Sequence, residues 1–99
     1  MNDKKTEEMI QEKGLNAPRL NPTLIDNTID DEYYHIIPNT TMTICVLTLK
    51  NGFQVTGESA AVSLDNFDEE IGRKVARDNA RDKIWMLEGY LLKQKTLRG

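Results

Sequence analysis

Residues 41–50, TMTICVLTLK, constrain the fold most, because they are rich in β-branched residues and apolar on both faces of a would-be strand. The residues of the two alternating faces are Met42, Ile44 and Val46 on one side, and Cys45, Leu47 and Leu49 on the other. A strand that is apolar on both sides is normally covered on both sides. The run therefore predicts a central β-strand with more apolar surface than a small chain easily covers.

The pair Asn51-Gly52 follows this run and predicts a β-hairpin. Such a pair supplies the two positive-φ residues of a type I′ turn, and a two-residue loop places Thr48 opposite Val55. Because paired residues share a face, the sequence predicts one apolar face made of Met42, Ile44, Val46, Phe53 and Val55.

A long amphipathic helix is predicted within residues 63–99. Asn66 and neighbouring acids are predicted caps at its start, and Asp68, Glu69 and Glu70 are predicted in its first turn, where the helix dipole stabilises negative charge. Apolar residues then recur at helical spacing, namely Ala76, Ala80, Ile84, Leu87 and Leu91. We expect a helix of roughly 25 residues that packs on the Met42, Ile44, Val46, Phe53, Val55 face, since two strands alone are only marginally stable.

The N-terminal third contains weaker signals. Residues 1–20 predict a mobile lead-in, with a short helix in TEEMIQEKG that Gly14 would end. Asn21 and Pro22 then provide the cap and first turn of a second short helix. Residues 30–39, DDEYYHIIPN, predict an irregular connector that pairs briefly with the sheet before Pro38. The predicted fold is thus α+β, with residues 21–99 as its single domain.

The small size of the chain favours self-association. Ninety-nine residues leave a large share of the surface wet, so a homodimer or homotetramer is expected, in which the hairpin is half of a sheet shared with another copy. The sequence has no apolar run of membrane-spanning length and no signal-peptide core near Met1, so we expect a cytoplasmic protein that binds no membrane. The lone Cys45 excludes an internal disulfide and suits a buried position.

Catalytic and metal-binding signals are weak. The only histidine, His35, has no nucleophile or acid at a spacing that implies a catalytic pair, so the sequence predicts no enzyme and no cofactor. Glu58 and Asp65 could form a carboxylate pair or a Mg²⁺ site. An exposed strand acid and a helix-capping acid explain the two residues better.

Arg73, Arg77 and Arg81 form the most distinctive candidate site. Their four-residue spacing places all three on one stripe of the long helix, where guanidinium groups could bind a small anion such as a nucleotide. The alternative is a solvated helix, on which these arginines and Lys74 pair with neighbouring acids of the same helix (Glu69, Glu70, Asp78 and Asp82). Double-stranded DNA is a weaker expectation, because acids interrupt the stripe.

Four further residues are candidates for ligand or partner binding. Gly57 predicts a bulge or a point where a ligand or helix approaches the strand, and Glu58 adjoins it. Asn79 could make a polar contact across a two-fold axis or be a simple surface amide. Trp85 suits core or interface packing better than stacking on a nucleic-acid base.

Three segments, TICVLTLKNGFQVTGESA, NFDEEIGRKVARDNARDKIW and LEGYLL, resemble the phage protein family named after phage N4 gene product 49 and phage Sf6 gene 66. The resemblance runs from about Ile44 to Leu92 and implies a small protein encoded by a bacteriophage or prophage. By analogy with other small phage proteins, we expect a non-enzymatic accessory protein in the infected bacterial host. It would act against host defence, by binding a host factor or sequestering a small anionic, nucleotide-like signal to favour infection. The alternative is a nucleic-acid-associated regulator of phage replication or transcription.

Overall fold

The computed structural model describes residues 3–12 and 19–97. In chain order these residues form α1 (Asp3–Glu12), α2 (Pro22–Asn27), β1 (Ile29–Ile36), β2 (Met42–Leu49), β3 (Gln54–Ala60), a short 3-10 helix (Leu64–Asn66) and α3 (Glu69–Thr96). The strands make one antiparallel sheet in the order β1-β2-β3, and α3 packs on one face of it. The predicted α+β class, with a long C-terminal helix on one sheet face, is confirmed.

The predicted start of α2 is confirmed, whereas α3 begins later than predicted, since Asp65 and Asn66 lie in the 3-10 helix and Asp68, predicted in the first turn, is the cap. Asn21 caps α2, its side chain accepting a hydrogen bond from the Leu24 N–H at 2.8 Å. Asp68 caps α3 by accepting from the Ile71 N–H at 3.1 Å, and α3 is 28 residues long. Gly14, the predicted end of the first helix, lies outside the described residues, and the mobility of residues 1–20 stays a prediction. None of the described helices is both long and apolar enough to cross a membrane.

The predicted pairing of residues 30–39 with the sheet before Pro38 is confirmed, but the prediction that they are mainly an irregular connector is wrong. Most of it forms β1, which pairs with β2 from Ile29 opposite Leu49 to Ile36 opposite Thr43, with one irregularity between Ile29 and Asp31. Pro38 lies beyond the end of this strand and so does not interrupt its hydrogen bonds. One edge of the hairpin is therefore completed by the same chain.

The predicted two-residue turn is also wrong, because the hairpin loop has three residues, 50–52. Gly52 adopts a φ of 90° and donates its N–H to the Leu49 carbonyl at 2.8 Å. The Asn51 side chain accepts from the Phe53 N–H at 2.9 Å, and Asn51 does not adopt positive φ. A single left-handed glycine after a tight turn closes a three-residue hairpin, a common alternative to the type I′ loop.

This extra loop residue reverses the predicted faces. Leu47, not Thr48, lies opposite Val55, and a shift of one residue in register moves every side chain of a strand to the other face. The helix consequently covers the side of β2 that carries Cys45, Leu47 and Leu49, with Val55 from β3. Of the five residues predicted beneath the helix, only Val55 is there. Met42, Ile44 and Val46 point to the uncovered face, and Phe53 is 56% exposed.

The core lies between this sheet face and the helix. Its fully or almost fully buried apolar members are Ile25, Cys45, Leu47, Leu49, Val55, Ala76, Ala80 and Ile84. Cys45 is buried and free, as predicted, and burial raises the pKa of its thiol. It acts as a small apolar side chain.

Gly57 is the point at which the helix backbone meets the sheet. A Cβ atom added to Gly57 would lie 2.2 Å from the Ala80 nitrogen and 2.3 Å from the Ala76 carbonyl oxygen. Real side chains do not tolerate such distances, so α3 can cross β3 this closely only where the strand has glycine and the helix has alanine.

Gly57→Ala is expected to lower the free energy of unfolding by about 2 to 3 kcal/mol, because the new methyl group must push two backbones apart. Gly89→Ala is the matched control. At that helical position the nearest atom to an added Cβ is Leu20 Cδ1 at 3.8 Å, an ordinary contact, so the change should stabilise the fold by about 1 kcal/mol. Urea titrations of both variants measure the effects. Equal stabilities for Gly57→Ala and the wild type would contradict the close crossing.

Candidate functional site

Helix α3 separates the candidate residues into two groups on opposite flanks. The arginine flank, which faces β1 and α2, carries Arg73, Arg77 and Arg81. The edge flank, beside the outer edge of β3, carries Asn79, which bonds to Glu58. Gly57 lies beneath the helix between them. The structure thus does not bring the predicted site residues together into one pocket.

Two members of the arginine flank tie α3 to other elements. Arg77 Nε lies 3.1 Å from Glu32 Oε2 on β1, and Arg81 Nε lies 2.8 Å from Asp26 Oδ1 on α2. Arg81 also donates to the Pro22 carbonyl at 3.3 Å. The predicted pairing of these two arginines with acids of their own helix is therefore corrected, although Lys74 and Asp78 do pair along α3 at 2.9 Å.

Arg73 has a different environment from Arg77 and Arg81. Its guanidinium carbon lies 5.8 Å from the centre of the Tyr34 ring, within the range of a cation–π contact. The Tyr34 hydroxyl donates to Glu32 Oε1 at 2.7 Å, and Glu32 in turn pairs with Arg77. Arg73 and Arg77 thus meet the same Tyr34–Glu32 pair, and Arg73 itself is exposed.

This network perturbs two ionisable groups. The hydrogen bond from Tyr34 lowers the pKa of the Glu32 carboxyl, partial burial opposes that change, and Arg77 lowers the pKa further. Burial raises the pKa of Tyr34, and the hydrogen bond to Glu32 adds to the increase. At neutral pH the pair is therefore a carboxylate that accepts a hydrogen bond from a neutral phenol.

The edge flank borders a groove of about 200 Å³. Its lining residues are Thr41, Glu58, Ser59, Ala60, Ala61, Asn66, Phe67, Asp68, Ile71, Gly72, Val75 and Asn79. Ile71 and Val75 are 62% and 41% exposed, so α3 presents two aliphatic side chains to solvent there. The Asn79 amide donates to the Glu58 carbonyl at 2.8 Å. The four-residue spacing of Ile71 and Val75 predicts that they share one face of the helix, but the sequence alone does not show that this face lies beside β3.

The outer edge of β3, whose last residues line this groove, directs backbone groups away from the sheet. The Leu49 N–H donates to the Phe53 carbonyl at 2.8 Å, so this opposed pair is a hydrogen-bonded one. Antiparallel pairing alternates, so Val55, Gly57 and Ser59 direct their backbone groups to β2. The N–H and C=O groups of the alternate residues, which include Thr56, Glu58 and Ala60, therefore point away from the sheet.

The second uncovered surface is the sheet face opposite α3, here called the open face. Its central rows are Tyr33, Val46 and Thr56, and His35, Ile44 and Glu58. Tyr33 is 61% exposed, and no described helix packs on this side. The open face combines an aliphatic centre on β2 with a polar rim on β1 and β3. This face was not predicted from the sequence, because the predicted hairpin register differs by one residue from the observed one and placed Ile44 and Val46 beneath the helix.

Trp85 is half-buried and packs against the core cluster. Its indole Nε1 is buried and has no hydrogen-bond partner among the described residues. The ring therefore packs beside the core, and Trp85 does not line the groove beside β3.

Glu32→Gln tests the arginine flank. We expect a loss of at most about 1 kcal/mol of stability at pH 7, since both partners are partly exposed and solvent screens their attraction. Because the folded-state pKa of Glu32 is lowered, its contribution is present above the unfolded value of about 4.5 and fades as the pH falls through the lower folded value. The effect should shrink in an Arg77→Gln background. Urea titrations from pH 7 to pH 3 measure it, and an undiminished effect at pH 3 would contradict the assignment.

Comparison with known proteins identifies the family. The sequence model of the phage protein (N4 Gp49/phage Sf6 gene 66) family matches residues 20–96, which include every described strand and the whole of α3. Neither a search of curated proteins nor a search of solved structures returned a match. Because the family match spans more than half of the chain, this protein belongs to the phage protein (N4 Gp49/phage Sf6 gene 66) family.

Proposed function

We propose that this phage protein is a non-enzymatic accessory protein that binds a host protein in the cytoplasm of the infected bacterium and so favours infection. The observation that carries the proposal is the groove beside β3, where exposed Ile71 and Val75 adjoin the outer edge of the sheet. Exposed aliphatic side chains beside a strand edge are typical of surfaces that another protein covers. Membership of a phage family supports the setting.

Self-association through the open face is part of this proposal. His35 and Glu58 lie in the same row, on opposite outer strands of the sheet. A two-fold axis parallel to the strands would place each His35 against the partner copy's β3 and each Glu58 against the partner copy's β1. It would also bury Ile44 and Val46 of one copy against the same two residues of the partner copy. The open face is thus complementary to itself, which favours a homodimer.

A small anionic signal is the second candidate ligand. Arg73 supports it, because an exposed guanidinium beside the Tyr34 ring could hold a phosphate next to a stacked base. Arg77 and Arg81 support it less, since an anion would have to compete with Glu32 and Asp26 for them. The same two acids disfavour the nucleic-acid alternative, because they neutralise most of the stripe that would contact a phosphate backbone.

The homodimer predicts a mass of twice 11.3 kDa in light scattering at micromolar concentration. Val46→Asp places a charge at the centre of the open face and should yield single chains without loss of helical circular dichroism. Met86→Asp, an equal change at an exposed position of α3, should leave the dimer intact. A wild-type mass of one chain would remove the proposed contact.

The host-binding proposal predicts that a groove variant loses partners that a control retains. Tagged wild-type, Val75→Asp and Met86→Asp proteins are used to capture proteins from infected cells, and each captured protein is then purified and titrated. We expect at least one host protein to bind wild type and Met86→Asp, and to bind Val75→Asp at least about tenfold more weakly.

A negative result of the capture experiment would exclude the groove as the binding surface. If no captured host protein distinguishes Val75→Asp from Met86→Asp, the groove is not the functional surface. A nucleotide that raises the melting temperature of the wild type and of Lys74→Ala, but not of Arg73→Ala, would instead support the anionic-signal candidate. Lys74→Ala is a suitable control because this substitution also removes one positive charge from the exposed side of the same helix.

A further inference from the structure

We propose that the outer edge of β3 accepts an extended peptide of the bound partner as a fourth strand, with apolar side chains toward α3 alternating with basic ones. This inference rests on the proposed host-binding function and specifies the partner's chemistry. Strand addition is a recurrent mode of peptide recognition, in which backbone hydrogen bonds supply affinity and alternate side-chain pockets supply specificity.

The two edges of the sheet are protected differently. At the β1 edge the register is irregular between Ile29 and Asp31, and the adjoining residues 30–32 are all acidic. Irregular pairing and charge are devices that prevent other strands from adding to an edge. The β3 edge is regular from Gln54 to Ala60 and carries one charged residue, Glu58. An added strand is therefore expected at β3 and not at β1.

The groove fixes which side chains such a strand would present. Residues of an incoming strand alternate between the helix side and the open-face side. Those on the helix side would meet Ile71 and Val75, which are exposed and aliphatic. Covering these two side chains removes apolar surface from water, so aliphatic residues are favoured at every second position of the peptide.

Charge selects the remaining positions. The described lining of the groove contains two acids, Glu58 and Asp68, and no lysine or arginine. Glu58 lies on the open-face side of β3, opposite Ile44 in the register. The alternate residues of the peptide would therefore lie beside a carboxylate, which favours lysine or arginine there.

Asn79 already occupies one of the backbone groups that the strand would use. Its side-chain amide donates to the Glu58 carbonyl. A carbonyl oxygen has two lone pairs and can accept a second hydrogen bond, so a peptide N–H could join this bond or replace it. Asn79 thus holds the Glu58 carbonyl satisfied while the edge is empty.

Fluorescein-labelled synthetic peptides test the inference on the full chain. The probe is an eight-residue peptide of alternating valine and lysine, and the matched control alternates valine and glutamate. By fluorescence anisotropy, we expect saturable binding of the valine–lysine peptide with Kd below about 1 mM, and at least about tenfold weaker binding of the control. Amide hydrogen exchange at Thr56 and Glu58 should slow when the valine–lysine peptide binds.

Thr56→Pro removes an outward N–H while leaving the bonds to β2, since proline is tolerated at sheet edges. It should weaken binding at least about tenfold, whereas Thr56→Val should bind like the wild type. If Thr56→Pro does not fold, peptide binding by Val75→Asp is compared with binding by its control Met86→Asp, and only Val75→Asp should bind more weakly. Absence of saturable binding, equal binding of both peptides, or full binding by the folded Thr56→Pro or Val75→Asp variant would overturn strand addition.

Two results would distinguish failure of strand addition from failure of the proposed host-binding function. A host protein that depends on Val75 but binds Thr56→Pro normally would sink strand addition and leave host binding intact. Conversion of a wild-type dimer to single chains by Thr56→Pro, but not by Thr56→Val, would assign the edge to a second copy of this chain and overturn the inference.

Discussion

The close crossing of α3 over β3 at Gly57 governs the rest of the structure. A Cβ atom added to Gly57 would lie within 2.3 Å of the Ala80 nitrogen and the Ala76 oxygen, so the backbones of the helix and the strand are in direct contact at this position. This nearness brings Ile84, Leu47 and Val55 into one buried cluster with no large side chain at the crossing. A small chain can bury few residues, so close packing at one point contributes more than it would in a larger domain.

The same crossing makes the two flanks of the helix unlike. On one side, β1 and α2 lie within reach of the long arginine side chains, and Glu32 and Asp26 take up Arg77 and Arg81. On the other side the sheet ends at β3, so Ile71 and Val75 have no strand of the described chain beyond them. Two arginines of the predicted stripe thus join α3 to the neighbouring elements, whereas Ile71 and Val75, which the sequence did not single out as a site, are exposed.

Local signals in the sequence predicted the helices and the two hairpin strands, but neither β1 nor the register of the strands could be predicted from them. The Asn21-Pro22 cap, the acids of the first turn of α3 and the helical spacing of Ala76, Ala80 and Ile84 depend on neighbours within a turn or two. The hairpin register depends instead on whether Asn51 adopts positive φ or bonds to the Phe53 N–H through its side chain, and both suit an Asn-Gly pair. One residue of register decided which side of β2 is buried, and with it the site. The pairing of Arg77 with Glu32 spans 45 positions (77 minus 32), which no local pattern reveals.

The two uncovered surfaces differ in what can occupy them. The open face offers side chains only, so a second copy seated on it consumes no backbone group and leaves the β3 edge available. The edge offers directional N–H and C=O groups, which only another strand can satisfy fully. Had β1 not completed the other side of β2, a shared sheet between copies would have been the natural way to cover both edges. Because β1 does so from within the chain, self-association and recognition of a partner can use two surfaces that meet at Glu58, and a dimer would carry two groove-lined edges.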